Sequence, residues 1–471
     1  MIDHGFQPDF APEVATQVAA LQSTANALVA DKNVRDMRSL LWSSIDNDTS
    51  RDLDQIEVCE RIDSSTVRVL VGIADVDAFA PKGSPIDLHA AREATTVYTG
   101  VDTYPVLPEE LSTGMTSLLE NQDRLAIIID YTVRDGHLQS GDFYRALVRN
   151  KAQLTYELVG PWLEGKGPAP EKVAASPELQ AQLRLQDQVA QQLKLQRHLH
   201  GALDIDSVET RPILKDGHVV GLAKQPKNRA TELIEDFMVA ANETVARLFE
   251  AKHISSIRRV VKTPERWDRI VQLAAQQGEL LPAAPDSKAL SAFLTKRQAA
   301  DPDHFADLSL AVVKLMGPGE YVLERPGDPE QGHFGLAVQD YTHSTAPNRR
   351  FPDLLTQRLI KAVLAGGAAP YSDDELTSLA TNCTLKGDAA RKVEREVSKR
   401  IAAVAMQHRI GETFDAIITG VTPHGTFVRV LEPHIEGMLM HNTAHADVGD
   451  RLKVKLVNTD PQKGFIDFER A

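Results

Sequence analysis

The chain has 471 residues, of which 42% are hydrophobic and 25% charged, and its formal net charge is −14. This length exceeds the roughly 250–300 residues that one hydrophobic core usually serves, so we expect two or three domains. The sequence contains no uncharged apolar run of about 18 residues, which argues against a membrane span. The acidic balance also disfavours a nucleic-acid partner unless basic residues cluster locally.

Signals for export are absent as well. Residues 1–10 lack the basic region and the apolar run of a secretory signal. The two cysteines, Cys59 and Cys383, lie far apart in the sequence and show no metal-ligand spacing. Sparse cysteine use is typical of a reducing cytoplasm, where disulfides are rare. We therefore expect a cytoplasmic protein.

The first part of the chain changes from a helical to a strand-like pattern. Residues 11–35 are rich in alanine, with apolar residues at helical spacing, and predict one or two short helices. Strand-like segments fill residues 38–77, and the alternation in VRVLVGIADV predicts a strand that is buried on at least one face. Residues 125–150 continue in this style on both sides of the turn signal Asp135-Gly136.

Long helical patterns dominate the second part. Residues 178–200 are rich in glutamine and leucine and predict a solvated amphipathic helix, and residues 229–252 and 373–409 predict two more helices. Gly317-Pro318-Gly319 ends a further helical segment. From Gly411 onward, short strands punctuated by glycine predict a small β domain.

An acidic run, Asp46–Asp54, directly follows a strand-like segment. Clustered carboxylates repel one another, so another group usually compensates their charge. Magnesium is suited to this because it prefers hard oxygen ligands and is held by a few carboxylates, water and substrate phosphate. A solvated acidic turn explains the same residues equally well, and the run by itself leaves both interpretations open.

Residues 341–354 read YTHSTAPNRRFPDL and lead into a helical pattern. Adjacent arginines at a helix entrance are well suited to hold phosphate, through bidentate hydrogen bonds and the helix dipole. Taken alone, Arg349 and Arg350 are also explained as a surface pair.

The acidic run and YTHSTAPNRRFPDL together resemble the catalytic domain of the ribonuclease II family, the RNB domain. Residues 71–127, LIEDFMVAANE and HFGLAVQDYTH follow in the family's order, so the resemblance extends from about Arg38 to about His408. It implies an α/β (α+β) catalytic domain over residues 38–409, preceded by a helical extension over residues 1–37. It also implies a Mg²⁺-dependent hydrolytic 3′→5′ exoribonuclease, with Mn²⁺ as an alternative metal, that degrades single-stranded RNA to 5′-mononucleotides.

The resemblance also implies roles for individual residues. The metal ligands would be Asp46, Asp52, Asp54 and Gln55, and the terminal ribose is an alternative ligand for Asp54. Asp52 and Asp54 would also act in catalysis, where Arg349 would stabilise the charge that develops on the scissile phosphate. The residues that would contact the RNA are Tyr98, by stacking on a terminal base, Arg350, on a neighbouring phosphate, and Glu235 and Glu394, near the terminal nucleotides.

The sequence departs from the family pattern at several positions. Gln55 stands where the family has a fourth aspartate, and Ala346, Asn348 and Phe351 replace other residues in the arginine motif. A glutamine offers a carbonyl oxygen but no negative charge, so metal affinity should fall. A catalytically weakened RNB scaffold that only binds RNA is therefore an alternative. A metal-dependent phosphodiesterase with another substrate is a third interpretation, and it leaves the end of the chain unexplained.

Residues 410–471 resemble an S1 domain, a five-stranded OB-type barrel that binds single-stranded RNA. Its RNA-facing positions are matched by His424, Phe427 and His441, where bases would stack. Because phenylalanine is often buried, a place for Phe427 in the barrel core is the competing interpretation.

The acidic net charge does not exclude a nucleic-acid partner, because basic residues cluster in one part of the sequence. Residues 386–409 contain seven basic and three acidic residues. Together with the arginine motif, Arg358 and Lys361, they could line a groove that follows the phosphates of a single strand. For the outward-facing residues, a solvated helix face with charge pairs at three- and four-residue spacing is the competing interpretation. The family's amino-terminal cold-shock barrels have no counterpart before Arg38, so we expect an open entrance and tolerance of structured RNA. The predicted partners are 3′ ends of single-stranded RNA, with no DNA and no membrane, and the chain is expected to be a monomer.

Overall fold

The computed structural model describes residues 1–28, 34–205, 209–215, 218–225, 227–329, 331–423, 425–441 and 450–471. Within these ranges the helices are α1 (Pro12–Leu28), α2 (Pro85–Glu93), α3 (Tyr156–Leu163), α4 (Glu171–Ala174), α5 (Pro177–Leu199), α6 (Arg229–Ala251), α7 (Trp267–Gln276), α8 (Ser287–Ala300), α9 (Pro302–Met316), α10 (Phe351–Ala365) and α11 (Asp373–Met406).

The strands of the catalytic part are β1 (Arg35–Asp36), β2 (Ser43–Asp46), β3 (Gln55–Arg61), β4 (Thr66–Ala74), β5 (Val97–Tyr98), β6 (Thr103–Tyr104), β7 (Asp123–Arg134), β8 (His137–Arg149), β9 (Ala152–Thr155), β10 (Glu209–Lys215), β11 (His218–Gln225), β12 (Ser256–Val260) and β13 (Glu320–Glu324). Those of the carboxyl-terminal part are β14 (Thr413–Thr422), β15 (Gly425–Val430), β16 (Ile435–Leu439), β17 (Arg451–Asp460) and β18 (Phe465–Arg470).

A seven-stranded mixed sheet in the order β1-β8-β7-β4-β3-β2-β9 forms the centre of the catalytic part. Strand β4 lies in its middle, and Val69, Leu70 and Val71 are fully buried, so the strand is covered on both faces. The hairpin between β7 and β8 turns at Asp135 and Gly136, which both have positive φ, as a type I′ turn requires. The strands and the turn predicted from this part of the sequence are confirmed.

Helix α5 covers a stretch of β3 that has no neighbouring strand on one side. Strand β3 pairs with β2 only between Glu57 and Ser43, which leaves part of its backbone without a neighbouring strand. The side chain of Gln182 fills this gap, because Nε2 donates to the carbonyl oxygen of Cys59 (2.6 Å) and Oε1 accepts from its amide (3.0 Å). One turn later Gln186 donates to the carbonyl oxygen of Glu57 (3.4 Å). The prediction of a solvated helix is therefore wrong for the face that carries Gln182 and Gln186. This face takes the place of a neighbouring strand beside β3.

The barrel at the carboxyl end is closed, with strand order β14-β15-β16-β18-β17. Its core includes Ala403 and Met406 from the last turn of α11, so the helix is continuous with the barrel's packing. The predicted fold class, a mixed α/β domain followed by a small β-barrel, is confirmed. The predicted amino-terminal helix is α1, and it packs on the core of the catalytic part through Val14 and Val18.

The other long helical predictions also hold. Helix α6 begins with a capping box between Asn228 and Thr231, and α11 begins with one between Ser372 and Glu375. In the described part of the chain, no helix is both long and apolar enough to cross a membrane.

Candidate functional site

The acidic run forms a loop between two neighbouring strands. Asp46 is the last residue of β2 and Gln55 the first of β3. Leu53 anchors the loop: its side chain is fully buried, and its amide donates to Ser117 Oγ (2.9 Å). The carboxylates of Asp52 and Asp54 are therefore fixed on either side of a buried residue.

Asp54 joins this loop to the arginine motif. The carboxylate is 2% exposed. It accepts hydrogen bonds from the amide of Asn348 (2.8 Å) and from Nε of Arg349 (3.1 Å). Burial raises the pKa of Asp54 to about 8, against the opposing charge of Arg349. The site thus brings together the two motifs on which the sequence prediction depended.

The loop before α10 is held by buried polar contacts. Asn242 on α6 accepts hydrogen bonds from both the amide and the hydroxyl of Ser344 (2.8 Å each). Asp353 in the first turn of α10 accepts from the amide of Ala346 (2.8 Å). Asp353 also binds Arg350 through Nε (2.9 Å) and Nη2 (2.8 Å). Arg350 is therefore oriented by a buried carboxylate, with the rest of its guanidinium left for another partner.

Tyr98 connects the acidic loop to α11. Its hydroxyl donates to Asp52 Oδ2 (3.0 Å), and its amide donates to Glu394 Oε1 (3.1 Å). The residue is 42% exposed, so it lies outside the core. The structure brings together Asp52, Tyr98 and Glu394, and an exposed ring is compatible with the predicted base stacking.

The other predicted RNA contacts lie elsewhere. Glu235 is exposed on α6, and its carboxylate lies 3.2 Å from Lys227 Nζ. Phe427 is half-buried on β15 between the buried Thr426 and Val428, and it is not part of the barrel's buried core cluster. His441 is exposed, with Nε2 3.9 Å from Glu469 Oε1. The prediction for His424 falls outside the described residues.

The prediction that Arg358 and Lys361 line a phosphate groove is wrong. Arg358 is 4% exposed and forms ion pairs with Asp77 (2.8 Å) and Asp87 (2.7 Å). Lys361 pairs with Asp75 (2.5 Å) and Asp77 (3.0 Å). Their charges are neutralised inside the protein, at the contact between α10 and the segment after β4. The exposed basic residues of α11 are Arg391, Lys392, Arg395, Lys399 and Arg400, and Arg391 forms an ion pair with Asp388 one turn earlier on the same helix.

Two residues near the acidic loop were not predicted. Glu57 on β3 is fully buried, and burial followed by the charge of Asp46 raises its pKa well above the usual range. Tyr156 begins α3, and burial followed by the charge of Asp46 raises the pKa of its hydroxyl. A glutamate inside the apolar strand QIEVC was the available signal for the first. No sequence signal singled out the second.

The site has features that fit a divalent cation. Asp46 Oδ2 is buried, and no group in the described ranges donates a hydrogen bond to it; Oδ1 accepts a long one from Gln55 Nε2 (3.4 Å). Burial raises the pKa of Asp46 to about 7. A cation bound beside it would act in the opposite direction, because it favours the charged carboxylate. Among the described residues, no three His, Cys, Asp or Glu side chains converge at metal-ligand spacing. Fewer than three protein ligands are sufficient for magnesium, which often binds through one or two carboxylates, water and substrate phosphate.

Comparison with known proteins defines the class of protein. The model of the RNB domain matches residues 34–366, and that of the RNase II-type exonuclease C-terminal S1 domain matches residues 412–471. The chain belongs to the RNB family and carries an S1 domain of this type.

Among characterised relatives, the chain is 30% identical over 468 residues to Ribonuclease R 1 of Lactococcus lactis, covering 92% of this chain and 56% of that protein. It therefore spans a little over half of that relative's length.

Solved structures show the same fold. Mycoplasma genitalium RNase R in complex with ribose methylated single-stranded RNA matches all of this chain and 77% of its own, with a TM-score of 0.87 and 21% identity. The same protein in complex with double-stranded RNA gives a TM-score of 0.82 at 23% identity, over all of this chain and 82% of its own. Yeast Ssd1, described as a pseudonuclease, matches 93% of this chain and 53% of its own, with a TM-score of 0.68 and 17% identity.

Proposed function

We propose that the chain is a metal-dependent hydrolytic exoribonuclease that removes 5′-mononucleotides from the 3′ end of single-stranded RNA. The observation that carries the proposal is the contact between Asp54 and Arg349, 295 residues apart, in a site that also holds the buried Asp46 Oδ2, to which no described residue donates a hydrogen bond. An arginine and several carboxylates at one point suit hydrolysis of a phosphodiester, in which negative charge develops on the phosphate.

Arg349 is placed to serve a phosphate. Its side chain is 47% exposed, and its contact with Asp54 uses Nε. The two terminal nitrogens can therefore donate to phosphate oxygens in the fork geometry that arginine favours. Asp54 can keep its contact with Nε while phosphate binds the terminal nitrogens, so it would hold Arg349 in orientation during the reaction.

The metal would be held by Asp46 and Asp54, with Asp52 in support. Mg²⁺ or Mn²⁺, when bound, would supply an activated water and stabilise charge on the phosphate. Gln55 directs its Nε2 to Asp46 (3.4 Å), so here it orients the aspartate rather than offering a charge. Tyr98 would position the terminal nucleotide, because its hydroxyl is tied to Asp52 and its ring is exposed.

Release of mononucleotides from labelled RNA tests the proposal. With 5′-labelled single-stranded RNA and Mg²⁺ we expect progressive shortening from the 3′ end, and none in EDTA. Asp54→Asn and Arg349→Ala should abolish turnover while RNA binding is retained. If the unaltered chain binds RNA but hydrolyses none in Mg²⁺ or Mn²⁺, the proposal is wrong. That result would favour the alternative, an RNA-binding protein on a catalytically weakened RNB scaffold. Gln55 and the likeness to Ssd1 are what favour that alternative.

The substrate range is part of the proposal. We infer that RNA and not DNA is degraded, by a monomer in the cytoplasm, and that structured RNA is tolerated. Hairpins with 3′ overhangs of graded length test the last point, and stalling many nucleotides before the stem counts against it. Matched DNA strands test the preference for RNA, and size-exclusion chromatography tests the monomeric state. The division into residues 1–37, 38–409 and 410–471 also stays a prediction.

A further inference from the structure

Residues 94–98 connect the arginine motif to Tyr98. The amide of Thr96 donates to the backbone carbonyl oxygen of Arg349 (2.9 Å). Two residues later, the hydroxyl of Tyr98 donates to Asp52 Oδ2 (3.0 Å). The position of this short segment therefore determines where the ring of Tyr98 lies relative to Arg349 and the acidic loop.

Phe6 packs behind this segment. Its side chain is 2% exposed and forms one buried cluster with Val97 and with Ala390 and Val393 of α11. Neighbouring side chains on a strand point to opposite faces, so Val97 points into the cluster while the exposed ring of Tyr98 points away from it. Phe6 thus supports, from the buried side, the strand that presents Tyr98.

Polar contacts on both sides of Phe6 hold it in place. Lys386 Nζ on α11 donates to the carbonyl oxygen of Gly5 (2.7 Å) and lies 4.7 Å from the centre of the Phe6 ring. The amide of Gln7 donates to Glu93 Oε2 (2.9 Å) at the end of α2. The backbone around Phe6 is therefore anchored to two different helices.

We propose that Phe6 is a positioning residue for the 3′-terminal nucleotide of the RNA, because it fixes the strand that presents Tyr98. The inference rests on the proposed function, in which Tyr98 positions that nucleotide. Glu394 supplies a second connection, since it follows Val393 of the cluster and accepts a hydrogen bond from the amide of Tyr98 (3.1 Å). The competing explanation is that Phe6 contributes to stability alone and leaves the RNA affinity of the folded protein unchanged.

A double-mutant cycle separates these explanations. Phe6→Ala should weaken binding of a short single-stranded RNA about fivefold or more, because the cavity lets Tyr98 shift and a displaced ring stacks poorly. Fluorescence anisotropy in EDTA measures this affinity without hydrolysis. In the Tyr98→Ala background, Phe6→Ala should change the affinity less than about twofold, because the ring through which it acts is gone. The control is Val14→Ala, at an equally buried position on α1, and its affinity should match that of the unaltered chain.

Each outcome decides the inference. An equal loss from Phe6→Ala in both backgrounds, or no loss in either, overturns it and leaves the proposed function standing. Unchanged affinity in Tyr98→Ala alone overturns it together with the role proposed for Tyr98, while hydrolysis by the unaltered chain in Mg²⁺ tests the function separately. If Phe6→Ala fails to fold, as judged by circular dichroism, Lys386→Met takes its place in the cycle under the same criteria. This variant removes the ammonium that holds Gly5 and leaves the apolar cluster filled.

Discussion

Arg349 illustrates how one residue can combine positioning with catalysis. It binds the buried carboxylate of Asp54 through Nε while half of its side chain surface stays open. The planar guanidinium allows this division of contacts, because its five donors are fixed in one plane. A lysine ammonium would carry the same charge without the fork.

Arg349→Lys should therefore reduce kcat about 10²–10³-fold, the loss typical of removing one donor to a developing charge. RNA affinity measured in EDTA should change little, since the positive charge is retained. Hydrolysis of labelled RNA at saturating substrate measures kcat, and fluorescence anisotropy measures RNA affinity. Arg269→Lys, on the exposed face of α7, is the control. Retention of the original kcat in Arg349→Lys would show that charge alone suffices.

Single residues also show where the sequence was informative and where it was not. The meeting of Asp54 and Arg349 could be predicted because both motifs are local and the resemblance supplied their partnership. The burial of Arg358 could not be predicted. Its ion-pair partners, Asp77 and Asp87, come from a segment about 280 residues earlier, and no local pattern connects them to α10. The surroundings of Glu57 could not be predicted for a similar reason. Strand alternation shows on which face of the sheet its side chain lies, but not which residues pack against that face.

At the scale of elements, α5 acts as a substitute strand. Its apolar pattern predicts the helix correctly, but the sequence does not distinguish the two glutamines facing β3 from ordinary surface residues. Whether a glutamine meets water or an unpaired strand edge depends on the sheet order, which periodicity does not encode.

Gln182→Ala should weaken this edge. The substitution leaves the amide and carbonyl groups of Cys59 without partners, which costs about 1–3 kcal/mol where water cannot reach them. We expect faster hydrogen exchange at Cys59 in mass spectrometry of the peptide that covers β3, and a lower urea midpoint. Gln191→Ala removes an exposed glutamine of the same helix, whose Nε2 donates to Asp187 Oδ2, and should change neither. Equal exchange in both variants would contradict the role of α5.

The packing of the amino-terminal segment on α2 should depend on pH. His89 is buried beneath Phe10, with ring centroids 4.3 Å apart, and its Nδ1 lies 3.1 Å from Arg92 Nη2. Burial, followed by the charges of Arg92 and Lys386 against the opposing charge of Glu93, lowers the pKa of His89 to about 4. The unfolded imidazole takes up a proton near pH 6.5 and the folded one does not, so the contribution to stability is full above that pH.

That contribution should fall as the pH drops from about 6.5 to about 4. Hydrogen exchange of residues 1–10 should therefore speed up over this interval beyond the intrinsic pH effect. His89→Gln should flatten the dependence, because glutamine does not titrate. A profile in His89→Gln identical to that of the unaltered chain would assign the effect to another group.

At the scale of the whole molecule, α11 links the site to the barrel. Glu394 on this helix contacts the amide of Tyr98, and three turns later Ala403 and Met406 enter the barrel core. The sequence predicted the helix and the barrel separately, because each has its own local pattern. It could not predict that they share packing, which arises only when the last turn of the helix meets the inner faces of the strands.

This arrangement makes deletion of the barrel a poor test of its role, since it would expose Met406 and its neighbours. A single substitution is sharper. Phe427→Ala should weaken binding of single-stranded RNA about 5- to 150-fold, which corresponds to the 1–3 kcal/mol of one stacked base, while kcat at saturating RNA stays unchanged. The loss should persist at high salt, because stacking does not depend on counterion release. Phe465→Ala removes another partly exposed phenylalanine of the same barrel and serves as the control. An equal loss in both variants would point to general damage to the barrel, and no loss in Phe427→Ala would place the RNA on a different face.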